Sequence, residues 1–328
     1  MIGAGEGSAD MKTLFLAGAL VASAAASAQT YPDRPIHLVV PFAPGGVDVT
    51  ARLLQPGLQQ DLGQPIVIEN RPGAGGVTGT VVVSKSPPDG FTLLMTTSGT
   101  LVNAPLLAKT PPFDPIKDFT PITVTFQAVS TLVVNAALPI HSVKELVDYA
   151  RQNPGKLGFA SAGIGTNQHI DGETLKTLAG IDMVHVPYKS FGQSIADLTA
   201  GHVQLGFNTL AQIRPHVASG KVRLIAVGDA KRYAALPDVP TIAETMPGFA
   251  RVPGWSGAIL GPAGLPAPIL ARLNGATVKA IHRPEVRARL EEGGSVAIAN
   301  TPEEFTALMR GDIERMTRVI RTLNLQEN

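Results

Sequence analysis

The stretch "IHLVVPFAPGGVDVTAR", Ile36 to Arg52, decides the fold class. A β-branched apolar run leaves through a Pro-Gly-Gly corner and continues into a helix-like segment. Glycine lets backbone approach a ligand closely, and the first N–H groups of a helix have no partners inside it. A strand, a glycine corner and a helix start in that order can hold an anion. The same corner also serves as a plain tight turn.

The pattern repeats outward from this stretch. Short apolar runs rich in β-branched residues alternate with longer amphipathic segments, joined by glycine-containing loops, which is the habit of α/β folds. Strands are predicted at Ile36 to Val40, Ile66 to Glu69, Thr92 to Thr96, Ser130 to Asn135, Leu157 to Ala160, Met183 to Val186, Val203 to Phe207 and Val222 to Val227. Helices are predicted at Val143 to Asn153, Gln168 to Ala179, Gly192 to Ala200, Pro268 to Ile281 and Pro302 to Leu323. The last has an N-cap at Thr301, a proline at its first position and a capping acid at Glu304. Val49 to Gln60 is also amphipathic, but Pro56 deletes a bond to the Arg52 carbonyl, so a kinked helix is expected there. Proline-rich stretches at Thr110 to Pro121, Leu236 to Pro247 and Gly261 to Pro268 read as ordered surface connections.

With 328 residues, 44% hydrophobic and 16% charged, the chain can bury a large core and has the length of more than one domain. Its formal net charge is +1 and no basic run is present, so the electrostatic footprint of a nucleic-acid binder is missing. Near the N-terminus, Met11-Lys12, the apolar "TLFLAGALVASAAA" and Ala26-Ser27-Ala28 form an export signal cleaved before Gln29. Residues 1 to 28 are therefore expected to be removed, with Met11 as the true start. The apolar run falls short of the roughly 20 residues of a spanning helix. Cysteine is absent, which excludes disulfides, thiol catalysis and a lipid-modified cysteine.

Enzyme signatures fail one by one. No GxSxG nucleophile elbow occurs, since "FASAG" lacks the first glycine and "GWSGA" the last. The seven histidines show no HExxH pair, so no metal set is expected. In "IVIENRPGAGGVTG" a dinucleotide fingerprint would need glycine at position 78, where Thr78 stands. Neither a nucleotide nor any other cofactor is predicted.

What recurs is a strand followed by a loop of small polar residues: "PFAPGGVD", "TTSGT", "SAGIGTNQH", "PYKS" and "FNTL". Such loops offer backbone N–H groups and short side chains suited to a carboxylate, beyond the carboxyl ends of strands where ligands of open α/β sheets lie. Each is also a turn. Thr166 or Asn167 reads as the N-cap of the following helix, Lys189 as a ligand contact or a solvated lysine, and Asn208 as a ligand contact or a turn residue. His169 reads as a packing residue of the helix face.

"YPDRPIHLVVPFAPGG", "QPIVIENRPGAGG", "PDGFTLLMTTSGT", "FDPIKDFTPI", "KLGFASAGIGTNQH", "HVPYK", "RLIAVGDAKRYAALPDVPTIAE" and "TPEEF" together closely resemble the Bug, or TctC, family. These are the substrate-binding proteins of tripartite tricarboxylate transporters. The resemblance runs from Tyr31 to about residue 320, with the motifs in family order. It implies a type II periplasmic binding-protein fold of two α/β lobes with a ligand cleft between them. Lobe I would comprise residues 29–125 and 229–328, and lobe II residues 126–228. Loops matching Phe42 to Gly46 and Gly163 to Asn167 would grip a ligand carboxylate. The implied lining is Phe42, Pro44, Gly45, Gly46, Ser98, Gly163, Gly165, Thr166 and Asn167, with Tyr188, Lys189 and Asn208 as selectivity candidates.

The chain departs from the family pattern in places. Only Val47 separates Gly46 from Asp48, where two residues are usual, so the first loop is one residue short. Tyr188-Lys189-Ser190 replaces the usual "YKG", and Asn208-Thr209 replaces an Asp-Asn pair. Losing that acid weakens the case for an amino-acid ligand, whose ammonium would want a carboxylate. The function implied is a non-enzymatic, monomeric periplasmic receptor that delivers a small organic carboxylate to membrane permease subunits. A sensor receptor with a signalling partner and a secreted hydrolase are the alternatives.

Overall fold

The computed structural model describes residues 31–164, 166–188, 191–249 and 255–322, together with Met1. The export signal, Gly165, Lys189, Ser190 and the end of the last predicted helix lie outside the described residues. In chain order the first elements are β1 (Ile36–Val40), α1 (Val47–Leu62), β2 (Ile66–Asn70), α2 (Val77–Ser84), β3 (Thr92–Thr96), α3 (Ala104–Leu107), β4 (Phe119–Ala128) and β5 (Ser130–Asn135). Next come α4 (Val143–Gln152), β6 (Leu157–Ser161), α5 (Asn167–Ala179), β7 (Met183–Pro187), α6 (Phe191–Ala200), β8 (Leu205–Thr209), α7 (Leu210–Ala218) and β9 (Val222–Val227). The chain closes with α8 (Ile242–Thr245), β10 (Gly257–Pro262), α9 (Ala267–Ile281), α10 (Pro284–Glu292), β11 (Ser295–Ala297) and α11 (Pro302–Thr322).

Two mixed sheets result, one six-stranded in the order β11-β4-β10-β3-β1-β2 and one five-stranded in the order β7-β6-β8-β5-β9. The first is parallel across β2, β1 and β3, and the second across β7, β6 and β8. Helices cover both faces of each, because the strands are apolar on both sides. Leu38, Leu54, Leu58 and Leu273 fill one face of the first sheet, and Val39, Leu94, Phe305 and Met309 the other. Leu146, Phe159, Leu175 and Phe207 fill one face of the second, and Val133, Ile195, Leu198 and Ile213 the other. Burying each such side chain is worth about 2 kcal/mol.

The chain passes between the sheets at β4 to β5 and returns after β9. Asp229 ties the two passages together, accepting from the Ser130 amide at 3.1 Å and from Gln127 Nε2 at 3.0 Å. The sheets also meet away from these strands. Val102 after β3, Ile170 of α5, and Met316 and Ile320 of α11 form one buried cluster.

The α/β fold with two sheets is as expected, and most predicted elements are present. Pro56 lies inside α1, which runs continuously from Val47 to Leu62; the proline is exposed, so water can satisfy the freed Arg52 carbonyl on that side. Other details do differ. The last predicted strand of the second sheet's parallel set starts at Leu205 rather than Val203, because the Asp197 carbonyl captures the amides of His202 and Val203 in the turn after α6. Pro121 and Gly261-Pro262, read as surface connection, lie in strands β4 and β10. A register shift between Ile259 and Leu260 falls beside Pro121, where a residue without an N–H is tolerated.

Candidate functional site

Loops that follow the carboxyl ends of parallel strands contain nearly all the predicted site residues. Phe42, Pro44, Gly45 and Gly46 join β1 to α1. Gly45 has φ +116°, and Gly46 has φ +53° with ψ −116°, a conformation open essentially to glycine alone. No side chain caps α1. The Asp48 and Val49 amides instead close onto the carbonyls of Gly45 and Gly46 at 3.1 and 3.2 Å.

A charged network holds this first loop from behind. Asp48, 3% exposed, accepts two bonds from the Arg52 guanidinium at 3.0 Å each and one from Asn70 Nδ2 at 2.9 Å. Asn70 Nδ2 also donates to the Phe42 carbonyl at 3.0 Å, so the residue ending β2 fixes the residue entering the loop. Burial alone would raise the Asp48 carboxyl; the bonds from Arg52 and Asn70 outweigh it and hold the carboxyl below its ordinary range. The shortened spacing places Asp48 in the first turn of α1, which favours a negative charge.

The second loop joins β6 to α5. Gly163 has φ +124°. Ser161 Oγ accepts the Gly163 amide at 3.1 Å and lies 3.0 Å from its carbonyl. Thr166 Oγ1 donates to the same carbonyl at 2.7 Å and accepts the His169 amide, so it is the N-cap of α5, as one of the two sequence alternatives held. Asn167 begins the helix, and its Oδ1 accepts from Asn103 Nδ2 at 2.9 Å. Asn103 follows β3 of the first sheet, so this bond joins loops of the two sheets.

Ser98 follows β3 at 2% exposure, its amide donating to the Trp255 carbonyl at 3.2 Å. Its Oγ is buried and has no hydrogen-bond partner among the described residues, as is true of Thr96 Oγ1 and Trp255 Nε1 nearby in the chain pairing. Asn208 is buried within β8, its carbonyl accepting from Thr131 Oγ1 at 2.9 Å. Tyr188 turns its hydroxyl onto Asp197 of α6 at 2.8 Å. Burial first, and the Asp197 carboxylate second, push that phenol up to about 12, so it stays protonated. Gly165 and Lys189 lie outside the described residues.

Sequence reasoning missed the residues that support these loops: Asp48, Arg52 and Asn70 behind the first, Ser161 and His185 behind the second, and Asn103 between them. An asparagine ending a strand just before "RPGAGG" was a usable signal, since asparagine at a strand end commonly bonds loop backbone. His169 packs as expected, its ring stacked on His185 with centroids 3.9 Å apart. Ser161 Oγ and His185 Nε2 stand at 2.7 Å, a nucleophile–base distance. Ser161 is nevertheless 1% exposed and its oxygen is engaged by the Gly163 amide, which suits an anchor rather than a nucleophile.

Comparison with known proteins agrees with this architecture. Residues 50–325 match the tripartite tricarboxylate transporter family receptor, TctC. Protein BugT of Bordetella pertussis is 34% identical over 311 residues, covering 94% of each chain. A structure described as a periplasmic transporter is 37% identical, with TM-score 0.79, over 90% of this chain and 99% of that one. Rpa4515 of R. palustris, solved with adipate, is 33% identical with TM-score 0.81 over 90% and 98% of the chains. MatC of Rhodopseudomonas palustris, solved with malate, is 32% identical with TM-score 0.76 over 88% and 100%. On the match across most of its length and on its two-sheet architecture, the chain belongs to the tripartite tricarboxylate transporter receptor family of solute-binding proteins.

Proposed function

We propose that this protein is a periplasmic receptor that closes its two lobes around a small organic carboxylate and delivers it to the membrane permease of a tripartite transporter. The observation that carries the reading is the pair of glycine loops, Phe42 to Gly46 and Gly163 to Asn167, on different sheets, with the loop regions linked by Asn103 and Asn167. Their backbone N–H groups would hold the carboxylate without a formal counter-charge. Ser98, whose buried hydroxyl lacks a partner among the described residues, would supply a further donor, and Tyr188, Lys189 and Asn208 would set selectivity. Two similar proteins solved with adipate and malate support a dicarboxylate as the first class to try.

The lobes would comprise residues 29–125 with 229–328, and 126–228, hinged where Asp229 ties the passages. Ile242 and Phe249 then belong to lobe I by chain division while packing into the core of the second sheet. Cleavage before Gln29 would release the chain to the periplasm as a monomer. A thermal-shift screen of residues 29–328 against di- and tricarboxylates tests the reading. A ligand at about 100 times its Kd stabilises the folded state by about 2.7 kcal/mol and raises Tm by several degrees. No shift with any acid in the panel contradicts it.

A further inference from the structure

Beneath the second loop lies a stack that the proposed function does not use. Phe159 of β6, His185 of β7 and His169 of α5 lie ring on ring, at 4.9 Å between Phe159 and His185 and 3.9 Å between the two imidazoles. Gly172 of α5 makes room for it, since a Cβ there would stand 2.2 Å from the Phe159 ring. Burial first, then the neighbouring imidazole and Lys176, lower His185 to about 4; burial and Lys176 do the same to His169. Lys176 is itself paired with Glu173 at 3.6 Å. Both rings are therefore neutral at neutral pH, and His185 has one ring proton to place.

Ser161 Oγ is the point where this stack touches the loop. It contacts His185 Nε2 at 2.7 Å, the Gly163 amide at 3.1 Å and the Gly163 carbonyl at 3.0 Å. A hydroxyl has one proton. If the ring carries its proton on Nε2, it donates to Ser161 and frees the hydroxyl proton for the Gly163 carbonyl; in the other tautomer it accepts that proton. In both cases the ring fixes the hydroxyl rotor, and the hydroxyl fixes the Gly163 peptide. We infer that His185 is a positioning residue for the carboxylate-gripping loop: through Ser161 it holds the Gly163 peptide in its φ +124° conformation before ligand arrives. A loop fixed in advance spares binding the cost of ordering it.

The ligand half of this inference rests on the proposed function, but the loop half does not. The first test is therefore amide hydrogen exchange at residues 161–166 in the ligand-free protein, compared with His185→Phe and Ser161→Ala. Phenylalanine keeps an aromatic ring in the stack and removes the polar contact, its ring edge drawing back from Ser161 Oγ, while Ser161→Ala removes the same contact without adding volume. Each variant is expected to speed exchange of the Gly163 amide about tenfold, with Tm lowered by only a few degrees and the double variant no faster than the faster single one. His185→Gln, which keeps a polar atom in reach, should restore part of the protection. Wild-type exchange in His185→Phe, or strictly additive effects, overturns the inference. Calorimetry with malate and adipate follows: about tenfold weaker binding in His185→Phe is expected, and unchanged affinity counts against the positioning role. If wild type binds neither acid, the receptor reading fails while the exchange result still decides the loop.

Discussion

In the proposed function the two glycine loops would share one job, yet they are built from opposite chemistry. The loop from β1 is pinned by charge: Asp48, Arg52 and Asn70 lock its entry and its helix start. The loop from β6 is pinned by neutral groups: Ser161, Thr166 and an imidazole kept uncharged by burial. The first loop places two successive glycines, Gly45 and Gly46, at positive φ, whereas the second has Gly163 there and spreads its constraints over two hydroxyls. A carboxylate held by backbone amides needs rigid amides more than it needs a cation, and either chemistry can supply rigidity. They should therefore fail under different conditions.

Gly46→Ala attacks the first loop most directly. Nothing lies within 4 Å of a Cβ at this position, so the cost is purely conformational. About 1–3 kcal/mol of backbone strain is expected, read as roughly 5- to 150-fold weaker carboxylate binding by calorimetry, with the core unaffected. Gly163→Ala, at φ +124°, should weaken binding comparably; a large loss from only one of the two would mean that the loops do not act as a pair. Removing the charge behind the first loop comes next. Asp48→Ala should lower the unfolding free energy by about 2 kcal/mol in denaturant titration, because it strips partners from Asn70 and Arg52. An effect confined to binding would show that the network is not structural.

Acid separates the loops in a different way. His169 and His185 titrate at about 4 in the fold against an ordinary value near 6.5, so the unfolded chain binds more protons between those values. Their stabilising contribution is complete above about pH 6.5 and is lost as pH falls through 4. Asp48, held below its ordinary range, gives way only at still lower pH. Asp312 of α11, raised by burial to about 6, acts in the opposite sense and favours the folded state on acidification. Tm measured from pH 7 to 4 should fall, less steeply in His169→Gln; a profile identical in the two proteins would refute the assignment. Smallest is Thr166→Ala, which removes an N-cap and should cost about 1 kcal/mol of stability in the same denaturant measurement.

Much of the fold was legible because its strands are short apolar runs and its helices announce their starts. Thr301 and Glu304 form the expected capping box, with bonds of 3.2 and 2.9 Å. β4 and β10 were hidden for a physical reason. Pro121 and Gly261-Pro262 read as breakers, yet Pro121 sits at a register shift, and Gly257 at the start of β10 lies where a Cβ would stand 2.2 Å from the Phe126 ring. The site divides along the same line. Residues that face the loops are small and polar at the ends of strands, so their positions could be marked from sequence. Residues that hold the loops work over long sequence separations, such as Asn70 to Phe42, His185 to Ser161 and Asn103 to Asn167. Only the packed sheets bring those pairs together.

In the proposed function, amide-rich loops on two lobes recognise a carboxylate as such. Calorimetric titration of residues 29–328 with malate and adipate, each beside its dimethyl ester, is the sharpest test of that recognition. Saturable binding of at least one acid and none of its ester is expected, since esterification removes the charge the loop amides would meet. Equal affinity for acid and ester, or no binding of either acid, would overturn the carboxylate reading.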